Sequence, residues 1–447
     1  MRVVVYIIVI VILCFTACKK SKPTEPDVKN PDNSILSIKA DTGQVGETQI
    51  TSVDDSAKIL IYVKNGIALN AVKLMIVTAE KATVKPASGE IVDFSGDAPV
   101  VYTTTSQSGV SKKWHVQIKV YPAADLSKYV PNAQPDPTFN NYFTRFSGWN
   151  SGDGAQSILL PDGRTVWMFG DSFIGDVNPD RSLVSGKYAL VHNAMMVQQD
   201  STFTTYHSGS DSKPESLFNP ESPQNIIWAS HGVADKGNLN VFMMELAPDN
   251  KGNWTHLTNH MAILDTKDFK IKKKIKVPYY NKISWGERCY TDANYHYIFG
   301  MSTNGLNTVI HLARAKHGHL EEMWEFYAGN NTWIKDINRA VPISVKPYVT
   351  APSIIERNGR YYMVTQRNFF SRDILMFRAD NIQGPYKDEV KLYTTPDVSQ
   401  SYISIVHPHF TQDNRMLIGY SLGGDIFKMV KNIDIGRPMF IRVNLPE

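Results

Sequence analysis

Cysteine is scarce, with three among 447 residues. Two of them, Cys14 and Cys18, fall within the first eighteen residues, so Cys289 has no companion in the rest of the chain and no disulfide framework is expected. No Cys-His motif marks Cys289 as a nucleophile, and it reads as a small buried hydrophobe. A surplus of charge is also missing: 47 Lys and Arg stand against 43 Asp and Glu, a net of +4, which argues against nucleic acid as a partner. The longest apolar run, Val3 to Phe15, is too short to span a bilayer. Gly and Pro, at 28 and 24 residues, are at ordinary levels, and 42% hydrophobic content with 20% charged excludes disordered and collagen-like chains. No cofactor fingerprint and no metal-ligand spacing stands out, so neither a cofactor nor a metal is expected. What the chain does have is aromatic residues, 11% of the total, concentrated in its C-terminal three quarters. Such faces suit sugar-binding surfaces and β-cores alike.

Residues 1–17 combine Arg2, the apolar run and a small residue, Ala17, before Cys18, which is the layout of an export signal. Phe15-Thr16-Ala17-Cys18 resembles a bacterial lipobox, with Phe where Leu is usual. The resemblance implies lipidation of Cys18 and an outer-membrane lipoprotein facing the periplasm or the cell surface, held to the membrane through this lipid only. Residues 18–34 are rich in Lys, Pro and other polar residues and read as a flexible tether.

From 35 to 125 the chain shows short β-rich runs, among them Ile59–Val63, Val72–Val77, Val100–Tyr102 and Trp114–Val120, with turns such as Pro86-Ala87-Ser88-Gly89 between them. That spacing predicts a small antiparallel β-sandwich. The segment resembles the immunoglobulin-like spacer domains of Gram-negative glycan-utilisation lipoproteins.

Residues 131–447 repeat one pattern five times: an apolar run, a tight turn, another apolar run. The turns are anchored at Gly163, Gly237, Asn294, Gly359 and Asn414, about 55 to 74 residues apart, the length of a four-stranded blade. An all-β fold with a five-bladed β-propeller after the sandwich is therefore expected, because a ring of blades leaves few exposed edges and converges on one funnel.

Polar residues flanking the hairpins at the funnel mouth are Asp153, Asp171, His231, Glu287, Ser353, Gln366, His407 and His409. Two features single out the first hairpin: Gly152-Asp153-Gly154 before it and Phe169-Gly170-Asp171-Ser172 after it. A two-residue Asp162-Gly163 turn sets Asp171 opposite Gly154 and Asp153 opposite Ser172, making the acids diagonal neighbours. Their Cβ atoms would then lie about 5 to 8 Å apart, compatible with the paired carboxyl groups of glycosidases. Like charges that close raise one pKa, leaving one acid protonated and the other ionised. Two ordinary turn-capping Asp residues would read the same way.

The stretch Ser151–Phe173 resembles the opening blade of the arabinanase-type five-bladed propeller hydrolases, most closely their endo-D-arabinanase branch. Gly384-Pro385-Tyr386 and His407-Pro408-His409-Phe410 are similar to strings in the same superfamily. The resemblance implies a glycoside hydrolase acting on a furanoside-containing polysaccharide, with Asp153 and Asp171 as catalytic acids and Glu287 as a further candidate proton donor. Trp149, His231, Gln366, His407 and His409 are candidate substrate-binding residues. His407 and His409 alternate onto one strand face and can grip a sugar or an ion, but a pair alone is no metal site. Trp149, Trp228 and Trp285 lie near hairpin mouths and suit a sugar ring or the core equally. The Lys270–Val277 run reads as a solvated outer strand rather than a polyanion site. The alternative function is a noncatalytic glycan-binding lipoprotein using the same funnel, and a monomer is expected in either case.

Overall fold

The computed structural model describes residues 29–53, 56–304, 307–343, 350–367, 371–396 and 400–446. The signal-like segment, Cys18 and the start of the tether lie outside them. The protein is all-β, with only short helices, and divides into two compact units.

The first unit comprises the described residues up to Val63 together with Ile67–Val120. Gln44–Val53, Ser56–Val63, Ser111–Val120, Val100–Thr105 and Thr83–Lys85 form one sheet in that spatial order; Ile35–Ala40, Val72–Thr78 and Ile91–Val92 form another. Pairing is antiparallel except between Ser56–Val63 and Ser111–Val120, which run parallel. Val72, Leu74 and Ile76 are buried and alternate with exposed neighbours, the period-two signature of a strand with one wet face. They share a core with Ile59, Ile61, Tyr102, Trp114 and Val116.

The second unit comprises Lys64–Gly66 and Tyr121 onward. Among the described residues, five antiparallel sheets of four or five strands follow one another along it, opening with Gln156–Leu159, Ile226–Asp235, Ser284–Thr291, Thr350–Arg357 and Gln400–Gln412, beside a three-stranded sheet of Trp149–Gly152, Ser172–Val177 and Leu183–Val191 and a two-stranded one of Ser208–Ser210 and Lys213–Glu215. Each opening strand contacts the next, and that of the fifth sheet contacts that of the first. Cores are shared in the same cyclic order, with Trp167 of the first sheet packed against Phe440 of the fifth. The fifth sheet takes its outermost strand, Ala133–Pro135, from the chain ahead of the first sheet.

Position within a sheet sets exposure. The second strands are buried over most of their length, and Thr165–Phe169 throughout, because neighbouring sheets cover both faces. The outermost strand of the second sheet, Ile271–Lys276, is solvated and lysine-rich, which blunts edge-to-edge pairing. Its lysines are thus the outer strand read from the sequence.

The hairpin turns match the sequence anchors. Asn358-Gly359 and Lys236-Gly237 both have positive φ, the backbone of a tight two-residue hairpin turn. The first hairpin departs from expectation. Leu160 N–H donates to the Arg164 carbonyl, so Pro161-Asp162-Gly163 makes a three-residue loop instead of a two-residue Asp-Gly turn, with Gly163 at φ 88°. The register shifts by one residue. Gly152, not Asp153, pairs with Ser172.

Candidate active site

The shifted register changes how the first two acids meet. Asp153 N–H donates to the Asp171 carbonyl at 3.3 Å, and the Asp153 carbonyl accepts from Gly170 N–H at 3.0 Å. Asp153 therefore sits across from Gly170-Asp171, and the acids face each other rather than lying diagonally. The close approach needs glycine, because a Cβ at Gly170 would collide with the Asp153 carboxylate. Gly154 has φ 90° and Ala155 φ 38°, so the backbone after Asp153 takes the left-handed bend that lets this acid project inward.

Asp153, Asp171 and Glu287 all line one cavity of about 450 Å³, together with Trp228, Ser230, Tyr402 and Phe173. Its wall is completed by Ile426 and Met429 of the short helix Ile426–Lys431. Asp153 is half-buried and lines this cavity. Burial, reinforced by the negative charge of Asp171, pushes its pKa up to about 7, and the hydrogen bond from Tyr402 opposes that rise. Tyr402 OH donates to Asp153 Oδ2 at 3.0 Å. Asp171 Oδ1 accepts from Trp228 Nε1 at 3.1 Å and from His192 Nδ1 at 2.9 Å. Glu287, from the third sheet, accepts from Ser284 Oγ at 2.6 Å, and burial raises its pKa above the usual carboxylate range. One carboxyl held near half-protonation beside a second one bound by two donors can deliver a proton and serve as base or nucleophile.

The remaining candidates separate from these acids. His231 and His409 line a second cavity of about 790 Å³ with Arg288 and Ser353, framed by the later halves of the same opening strands. His231 Nε2 lies 3.2 Å from the Ser157 carbonyl, and burial lowers its pKa to about 3. His407 is fully buried, with Nδ1 2.7 Å from Ser157 Oγ and its ring against Trp167. These two histidines tie the second and fifth sheets to Ser157 of the first and do not line the acid cavity. Gln366 lies in the second strand of the fourth sheet, fully buried, and donates to the Ser401 carbonyl at 2.9 Å. Trp149 is buried and stacked on Phe169 at 4.1 Å between ring centroids, with Nε1 donating to Ser172 Oγ. Neither touches the acid cavity, and Trp285 is likewise core. Burial likewise raises the pKa of the Cys289 thiol, which keeps it protonated and a poor nucleophile.

Sequence reasoning missed Tyr402 and His192 and left Trp228 undecided. The signal for Tyr402 is conformational: its neighbour Ile403, a β-branched residue, has φ 52° and lines the acid cavity. Such strain collects at functional sites but leaves no mark in composition.

Residues 136–445 match the family described as "Domain of unknown function (DUF5005)". The chain belongs to this DUF5005 family. Residues 35–118 match the family described as "SGBP, N-terminal". Among solved structures, a Bacteroides ovatus protein provisionally assigned as a hydrolase is 20% identical with a TM-score of 0.63, covering 70% of this chain and 90% of that one. This DUF5005 chain thus shares its fold. Lower similarity is found to a GH32 β-fructofuranosidase from Bombyx mori (12% identity, TM-score 0.40, 70% and 62% covered). A GH43_1 enzyme from Xanthomonas citri is at 10% identity and TM-score 0.39, with 70% and 91% covered. No curated protein matches the chain significantly.

Proposed function

We propose that this DUF5005 protein is a glycoside hydrolase that cleaves a furanoside-containing, arabinan-like polysaccharide in the Asp153–Asp171–Glu287 cavity. The observation that carries the reading is the convergence of three acids from two sheets on one aromatic-walled cavity, with Asp153 raised to about 7. A binding site needs hydrogen bonds and ring faces but has no use for carboxyl groups crowded at this cost. In the proposed reaction Asp153 gives its proton to the leaving oxygen, and Asp171 is the facing carboxylate that activates water or attacks the anomeric carbon. Glu287 competes with Asp153 for the donor role. Trp228 both holds Asp171 and offers a ring to the sugar.

The cyclic series of five sheets supports a five-bladed propeller, and the two sheets around one core in the first unit support an immunoglobulin-like sandwich. Lipidation at Cys18 places the protein on the outer membrane, and Cys18→Ala should abolish palmitate labelling. Unchanged labelling would refute the anchor. The match to the "SGBP, N-terminal" family favours one second reading, a lipoprotein that binds glycan without cleaving it. Incubating the chain lacking residues 1–18 with a panel of arabinans and related glycans separates the two. Released oligosaccharides support the hydrolase, whereas glycan retained intact on the protein supports the binder.

A further inference from the structure

Away from the acid cavity, Asp235, His296 and His317 bring a carboxylate oxygen and two imidazole nitrogens within 4.8 Å of one another. Asp235 ends the opening strand of the second sheet, His296 lies in the second strand of the third, and His317 follows that sheet's third strand. The cluster therefore joins two successive sheets at the ends of their hairpins.

The atoms left available in this cluster are those a metal would need. His296 is 1% exposed, and its Nε2 is buried with no hydrogen-bond partner, 3.6 Å from Asp235 Oδ1. That distance is too long for a hydrogen bond. It is close to the roughly 3.3–3.5 Å that separates two ligand atoms on a tetrahedral zinc ion with bonds of about 2.0–2.2 Å. An orphaned buried nitrogen costs free energy unless something fills the gap.

Every other atom of the three side chains is already engaged in a way that fixes the ligands. His296 Nδ1 is 2.9 Å from Thr291 Oγ1, which leaves Nε2 for the ion. His317 Nε2 donates to the Asp292 carbonyl at 3.0 Å, which leaves Nδ1. Asp235 Oδ2 accepts from Gly318 N–H at 2.6 Å, which leaves Oδ1. Metal-binding histidines characteristically have the far nitrogen held in this manner. The two rings are stacked, 4.4 Å between centroids and 15° between planes, so one ring must turn for both nitrogens to face the same ion. His317 and Asp235 are partly exposed, which gives an entry path. Lys236, whose side chain covers Gly318, is the cation such an ion must tolerate.

We propose that Asp235, His296 and His317 form a site for a divalent zinc ion, completed by water, that staples the second sheet to the third. Two imidazoles and one carboxylate suit zinc far better than calcium or magnesium, which take all-oxygen shells. The site is remote from the acids and does not depend on the hydrolase reading.

The test uses the untagged protein, stripped with a chelator and titrated with zinc chloride by calorimetry, with thermal melting in parallel. One zinc per chain should bind saturably, and at about a hundredfold excess over Kd the melting temperature should rise by about 5 °C. His317→Gln and Asp235→Asn should each weaken binding at least tenfold. Thr291→Val, which removes only the support of His296, should weaken it about tenfold. Melting of each variant without zinc shows whether it folds, and Thr291→Val keeps the test valid if a ligand variant does not. Absence of saturable one-to-one binding, or wild-type affinity in all three variants, would overturn the assignment.

Discussion

Four opening strands frame both of two cavities of opposite chemistry, and the fourth sheet's opening strand lines only the larger. At the strand starts are carboxyl groups, one pushed up to about 7, with Tyr402, Trp228 and His192 as hydrogen-bond donors. Along the later halves are histidines whose basicity burial suppresses, two of them tied to Ser157. The larger cavity is the histidine one, so size is a poor guide to chemistry here. What separates them is charge held against its preference at one end and polar groups spent on holding sheets together at the other.

The largest effect that would break this contrast lies in the acids. Asp153→Asn and Asp171→Asn should each lower kcat by about 10² to 10⁴ on a glycan the wild type cleaves, with KM little changed. His409→Gln, in the other cavity, should leave kcat within a few-fold. Equal losses at both ends would erase the distinction. Gly170→Ala comes next: the added methyl displaces the Asp153 carboxyl, and a misplacement of about 1 Å can cost about 10²-fold in kcat. Kinetics of this variant beside its melting curve would separate displacement from unfolding.

The comparison sharpens with pH. Asp153 as proton donor gives kcat/KM an alkaline limb near pH 7. Tyr402 OH favours the ionised carboxylate, so Tyr402→Phe should move that limb to higher pH. The linkage sign follows from a folded pKa above the unfolded value. Between about pH 4 and 7 the native state holds more protons, so Asp153 makes stability fall as pH rises through that window. Asp153→Asn should flatten that part of a stability profile measured by denaturant melts. The smallest effect belongs to the histidine end, where Ser157→Ala strands His407 Nδ1 and should cost about 1–3 kcal/mol, read as a lower melting temperature with kcat retained.

Much of this layout was legible in the residues. The hairpins could be located because Asn-Gly, Lys-Gly and Asp-Asn pairs mark left-handed turns between apolar runs. The acids could be found because glycines flank them, as close approach of the strands demands. The register of the first hairpin was not legible: Asp162-Gly163 fits a two-residue turn, yet Pro161 joins it in a longer loop. Nor was the closing strand Ala133–Pro135, which is three residues long and ends in proline. The histidines stand apart from the acids for a simple reason. Ala229 and Ser230 still line the acid cavity, and the bulge between Ala229 and Gly232 carries His231 to the other one. Sequence order showed which strand carried the polar groups but not how far along the strand each cavity reached.

The central claim, that the acid cavity breaks glycosidic bonds, is tested most directly with Asp171→Asn and a glycan the wild type cleaves. Bound glycan and released reducing ends are measured in the same incubation. The account predicts that the variant holds the glycan with near wild-type affinity and releases almost no reducing ends. Release at the wild-type rate would contradict it.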